Sequence, residues 1–184
     1  MSTHAQYAPG PASGARVEKG EDLWTLILVR ELRHPPAMVW EALTDPAQLS
    51  QWAPFEVDGN LGAAGNTVKL TWVGTGRTTE ATVTRAEEPS VLELQNMRWE
   101  LEPLGQGTRL TLWHAIDRRF VAWGAAGWHI AFDVLNRLLA GDPIERLAGP
   151  DAMQFEGWQR LTVEYAQQFG ATLPKWPPKA AQKP

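Results

Sequence analysis

Three polar side chains sit among apolar neighbours in strand-like alternation, and they carry what chemistry this sequence offers. Arg30 shares one face with Trp24, Leu26, Leu28 and Leu32. His114 shares one with Leu110, Leu112 and Ile116, and Asn96 shares one with Leu92 and Leu94. Alternate residues of a strand point to the same side of a sheet. A polar group buried there without a partner is costly, so each needs a partner or a purpose. The guanidinium of Arg30 suits an acidic or carbonyl headgroup; it equally suits an ion pair across the sheet or a place at its open end. The imidazole of His114 titrates near neutrality when free, which suits ligand hydrogen bonding or acid/base work. Otherwise it is a core histidine satisfied by protein groups. Asn96 reads as a polar pocket anchor or as a water-exposed strand end. An enzyme acting on a carbonyl compound would use His114 as acid/base and Arg30 as the oxyanion partner. That needs both side chains around one open cavity.

Other chemistries find little support. His129 and Asp133 are spaced i, i+4, as are Asp133 and Arg137, and the pattern reads as a surface helix ladder. The four histidines, His4, His34, His114 and His129, form no ligand motif, and there is no cysteine, so neither a metal nor another cofactor is expected. No nucleophile motif occurs. Gly74-Thr75-Gly76 and Gly105-Gln106-Gly107 open no helix and read as hairpin turns rather than phosphate loops. A net charge of −4 and a pI of about 5.6 argue against nucleic acid as a partner. No apolar run approaches the roughly 20 residues of a membrane span. The N-terminal stretch lacks the basic start and apolar core of a secretory signal, so a cytoplasmic location is expected. Ten tryptophans are the unusual count. Indole suits a core and a semi-polar cavity wall alike.

The elements that must position these residues follow from periodicity. Residues 1–21 are rich in Gly, Pro, Ala and Ser and read as a flexible tail. Trp24 to Arg33 alternates as a first strand, stopped by Pro35-Pro36. Two short helices follow, Pro36 to Leu43 and Pro46 to Trp52, with Asp45 placed to cap the second. After a Gly- and Pro-punctuated loop over 53–66, five strand patterns run from Thr67 to Asp117 with short turns, an antiparallel meander with one apolar face. Val121 to Ala140 then places Val121, Ala125, Trp128, Phe132, Leu135 and Leu139 at steps of four and three, one face of a long helix. That stripe needs the apolar sheet face as its partner. Asp151 to Phe169 reads as an extra C-terminal helix with Asp151 and Gln154 in a capping-box pattern, and 171–184 as a second flexible tail.

The residues carry a resemblance at this point. Arg30-x-Leu32-x-x-Pro35-Pro36 with Val39-Trp40, then Leu43-Thr44-Asp45-Pro46 with Leu49-x-x-Trp52, is similar to the SRPBCC superfamily (START-like, birch-pollen-allergen-like). Within it, the pattern resembles the branch related to activators of heat-shock protein 90 ATPase. Leu110-Thr111-Leu112-Trp113-His114 and Gly127-Trp128-His129, with Asp133 and Leu135, support the likeness over about Leu23 to Gly141. It implies an α+β helix-grip fold, a curved antiparallel sheet wrapped around the long helix, forming one domain over 22–170 with 142–170 as a C-terminal extension. It implies less about activity, since such folds include lipid carriers, polyketide cyclases and co-chaperones. The eukaryotic co-chaperone has a separate N-terminal domain for chaperone binding, to which nothing before Leu23 corresponds.

In such a fold Trp72, Trp99, Trp128 and Phe132 face the space between sheet and helix, as cavity lining or as plain core. With Arg30, Asn96 and His114 they form the candidate ligand-binding set. The leading expectation is a module that binds a small hydrophobic molecule there, in a pocket of roughly 300–1,000 Å³. A cyclase- or hydrolase-like enzyme is one alternative. A protein-interaction domain using Trp113 and Trp123, or a homodimer through Trp113, is another.

Overall fold

The computed structural model describes residues 6–175. Among these residues, eight strands form one antiparallel sheet in the order β1-β2-β8-β7-β6-β5-β4-β3. The strands are β1 (Ala15–Glu18), β2 (Leu23–Leu32), β3 (Phe55–Val57), β4 (Thr67–Trp72), β5 (Thr78–Glu87), β6 (Val91–Leu94), β7 (Met97–Leu104) and β8 (Gly107–Asp117). The helices are α1 (Pro36–Thr44), α2 (Pro46–Trp52), α3 (Val121–Leu139), α4 (Gly149–Gln154) and α5 (Glu156–Phe169). The consecutive strands from β4 to β8 are the meander that the alternating pattern predicts, and β2 closes onto β8 with Leu28 opposite Leu112. This is the helix-grip arrangement, with α3 held in the hollow of the sheet.

Alternation decides which face is which. Leu26, Leu28, Leu70, Val83, Leu92, Leu94, Trp99, Leu110 and Leu112 are buried in one cluster with Trp128, Phe132 and Leu135 of α3. Each such side chain contributes about 1.5–3 kcal/mol by leaving water. Along β4 and β5 the other face is polar: Thr67 bonds Thr82 at 2.9 Å and Thr71 bonds Thr78 at 2.7 Å. Arg85, Glu93, Arg98 and Glu100 add a charged ladder beside them. Helix α3 ends where Gly141 adopts φ +77, which a residue without Cβ does at no steric cost. The Gly141 and Asp142 amides then donate to the Leu138 and Arg137 carbonyls, each at 3.1 Å, closing the helix in a Schellman turn.

Several expectations need correction. The described part of the N-terminal stretch is not a free tail. β1 pairs with β2, with Arg16 opposite Ile27, and the residues before it lie along α5. Arg160 donates to the Pro9 carbonyl at 2.6 Å and Gln168 to the Ala12 carbonyl at 2.9 Å. Low apolar content concealed a segment held by hydrogen bonds together with a few packed side chains, Tyr7, Ala12 and Val17 among them. Residues 1–5 and 176–184 of the two expected tails lie outside the described residues, whereas Ala171 and Leu173 pack on the core. The loop over 53–66 contains β3, whose Phe55 is buried opposite Trp72. Asp45 precedes α2 without a side-chain capping bond. The final helix is two helices, broken where Phe155 is extended (φ −79, ψ 126), and the Asp151–Gln154 pair opens neither, because α4 already starts at Gly149.

Candidate ligand pocket

Between sheet and helix the interior is mostly solid. Trp52, Trp99, Trp128 and Phe132 meet at ring-centroid distances of 5.3–6.3 Å, in edge and tilted geometries. Space opens at the N-terminal end of α3. There a pocket of about 700 Å³ lies between Trp72 and the His114–Asp117 end of β8 on one side. Phe120, just before α3, and Trp123, Gly124, Gly127 and Trp128 of α3 form its floor. Leu147 to Gly149, Ala152, Met153 and Trp158 roof it, so the segment after α3 supplies one wall.

The candidate site residues divide accordingly. Trp72, His114 and Trp128 line the pocket, and Asn96 stands at its exposed edge with its amide donating to the Ala115 carbonyl at 2.8 Å. Trp99 and Phe132 do not reach it; they are core, 1% exposed each. Arg30 is elsewhere. Its guanidinium donates to the Ser13 carbonyl at 2.8 Å, to His129 Nδ1 at 3.0 Å and to the Tyr165 hydroxyl at 3.3 Å. Leu26 stands opposite His114, and Arg30 is four residues further along β2, about 13 Å at the strand rise. The oxyanion-and-base pair for a carbonyl enzyme therefore does not assemble.

His114 has an environment that defines its chemistry. The Trp128 indole N–H donates to its Nδ1 at 3.0 Å, and the Trp72 ring lies parallel to it, 3° apart with centroids at 5.7 Å. Burial holds its pKa down to about 4, so the ring is neutral at pH 7. An indole nitrogen can only donate. Nδ1 is consequently the acceptor, and the proton resides on Nε2.

His129 overturns the surface-ladder expectation. It is 3% exposed, with Nδ1 2.7 Å from the Tyr165 hydroxyl and Nε2 3.7 Å from Asp133. Burial lowers its pKa to about 3, helped by Arg30 and then Arg160. Tyr7 donates to Asp133 at 2.5 Å, and burial followed by Asp133 raises the phenol pKa far above its usual value. Burial also raises the pKa of Asp133, against the lowering effects of that bond and of Arg30. The cause is a second buried side on α3. The stripe of α5, Trp158, Leu161, Tyr165 and Phe169, needs a partner and takes the flank of α3 that the sheet leaves uncovered. That unpaired α5 stripe was the available signal for His129, just as Gly124 and Gly127, three apart in a helix, were the signal for the pocket floor.

A second cleft of about 540 Å³ lies between Trp24, Arg118 to Phe120 and residues 170–174. Its walls hold no buried polar side chain comparable to His114. Among the described residues there is no cluster of three or more His, Cys, Asp or Glu able to hold a metal, and no helix is long and apolar enough to cross a membrane.

Solved structures share this fold. CalU16 from Micromonospora echinospora superposes with a TM-score of 0.59 at 22% identity, over 84% of this chain and 93% of that one. A conserved protein of unknown function from Enterococcus faecalis, EF2215, gives 0.63 at 17% identity, over 84% and 89%. SSP2350 from Staphylococcus saprophyticus gives 0.59 at 18%, over 68% and 98%. At these identities the likeness is one of fold. No curated protein matches by sequence. The sequence model of the "Activator of Hsp90 ATPase homolog 1-like protein" family matches residues 33–140, more than half of the chain. The protein therefore belongs to that family, the corresponding branch of the SRPBCC superfamily, whose fold is known for ligand binding.

Proposed function

We propose that this protein binds a small, predominantly apolar molecule in the pocket at the N-terminal end of α3, without catalysing its conversion. The observation that carries this reading is the pocket itself: about 700 Å³, walled by Trp72, Phe120, Trp123, Trp128, Met153 and Trp158. That volume and that mixture of many apolar walls with few polar groups are typical of small-molecule sites. The separation of Arg30 from His114 favours binding over carbonyl chemistry.

Titration with the neutral apolar dye 1-anilinonaphthalene tests it. The expected result is saturable binding of one equivalent to the full chain, abolished in Gly127→Trp, whose indole would occupy the floor. A Cβ at Gly127 meets nothing within 4 Å, so the variant has room to fold. Retention of the thermal transition checks that it has. Dye binding unchanged in Gly127→Trp, or absent from the native chain, would overturn the proposal.

A further inference from the structure

Resting on that pocket reading, we infer that the ligand is a planar molecule carrying a neutral carbonyl-type acceptor at its buried end, received by the Nε2–H of His114. Two independent features point there. The first is the fixed tautomer. A free histidine offers either nitrogen as donor, but the Trp128 indole at 3.0 Å reserves Nδ1 as acceptor. The parallel Trp72 ring also sets the imidazole plane. The pocket thus receives a donor of settled direction, at a side chain only 7% exposed.

The hydroxyl, amide and charged side chains of the lining are committed or lie at the edge. The Asn96 amide donates to the Ala115 carbonyl, the Thr75 hydroxyl to the Trp72 carbonyl, and Asp117 accepts from Arg119 at 2.7 and 3.0 Å. Arg77 is exposed. Among the described residues no buried cation faces the interior, so a carboxylate or phosphate would lose its hydration without compensation. A ketone or quinone-like oxygen needs only one donor.

The second feature is shape. Gly124 and Gly127 leave the backbone of α3 bare along the floor, between the Trp123 and Trp128 side chains. A glycine inside a helix costs about 1 kcal/mol relative to alanine. At Gly124 an added Cβ would fall 2.6 Å from Ile116 Cδ1, so close packing accounts for that glycine. At Gly127 an added Cβ would touch nothing, so no contact within the protein accounts for its absence. A flat ring system lying against the helix, with its acceptor toward His114, would use the space.

Two tricyclic probes of one frame separate this inference from the pocket reading. Fluorene and 9-fluorenone differ at the bridging carbon, CH2 in the first and a carbonyl in the second. Each is measured by displacement of the anilinonaphthalene dye from the full chain. One hydrogen bond at about 1 kcal/mol predicts that fluorenone displaces the dye about fivefold more tightly. The Nε2–H resonance of His114 should shift with fluorenone and not with fluorene. His114→Phe, which retains an aromatic ring, should equalise the two. Equal affinities in the native chain, with both probes lost in Gly127→Trp, would overturn the acceptor inference and leave the apolar pocket standing. Failure of both probes and of the dye would overturn the pocket reading and this inference with it. Should His114→Phe fail to fold, the probe pair and the resonance in the native chain decide the matter alone.

Discussion

Acidification should destabilise this protein well before its carboxylates titrate, and His114 allows the size to be worked out. In the unfolded chain its imidazole takes up a proton near pH 6.5; in the fold, burial delays this to about pH 4. Between those values the unfolded state binds a proton that the folded state does not, so stability rises with pH through the window. The stabilisation is fully present above pH 6.5 and is lost progressively as pH falls toward 4. At 1.36 kcal/mol per unit, going from pH 7 to 4.5 removes about 2 kcal/mol through His114 alone. His129, held down to about 3, acts in the same direction over the same range. Asp133 opposes them, because its raised folded pKa favours the folded state as protons are added. Urea unfolding of the native chain and of His114→Phe at pH 7.0, 6.0, 5.0 and 4.5 isolates the residue. The variant starts less stable, having lost the acceptor for Trp128, but its decline with pH should be shallower by about 2 kcal/mol over the range. Parallel curves would refute the reasoning, as would a His114 imidazole that titrates by NMR near pH 6.5 in the folded protein.

Other consequences follow from the same geometry. Gly127→Ala should raise stability by about 1 kcal/mol in urea, because it removes a helix-interior glycine and its Cβ has free space. Phe132→Leu should lower stability by about 1–3 kcal/mol while leaving dye affinity within about twofold, since Phe132 is core and outside the pocket lining. Tyr165→Phe should cost about 1–3 kcal/mol, because it strips a shared partner from Arg30, His129 and the Ser13 amide. The same change should speed proteolysis within residues 7–14, which those contacts hold down. Tyr7→Phe should act in the same direction and also raise the pKa of Asp133 further, because the bond that lowers it is gone, read by its carboxyl carbon shift.

Much of the fold was legible without coordinates, because period and punctuation are local properties. Alternation from Thr67 to Asp117 and the four-three steps of α3 each report one buried face, and the prolines and glycines mark their ends. The candidate site was legible in part. Trp72, His114 and Trp128 lie on inward faces and also reach the pocket, whereas Trp99 and Phe132 lie on the same faces a turn or a strand away and fill the core. Facing inward is a statement about one element. Facing a void depends on which neighbouring side chain arrives to fill the space.

The same limit explains the segments read as solvent-exposed. Residues 6–18 lack an apolar period, yet Tyr7, Ser13 and the Pro9 and Ala12 carbonyls find partners on α3, β2 and α5, all far away in sequence. His129 sits away from the stripe that the sheet covers, and only the docking of α5 makes that flank interior. Sequence by itself determined the helix-grip order, the inward polar residues and the demand of α3 for a sheet. Tertiary structure alone decided that Arg30 bonds into an internal network away from the pocket, and that His114 faces it. It also decided that the indole of Trp128 fixes which nitrogen carries the proton. Burial periodicity is encoded one element at a time; the partner of a buried polar atom is set by the meeting of several.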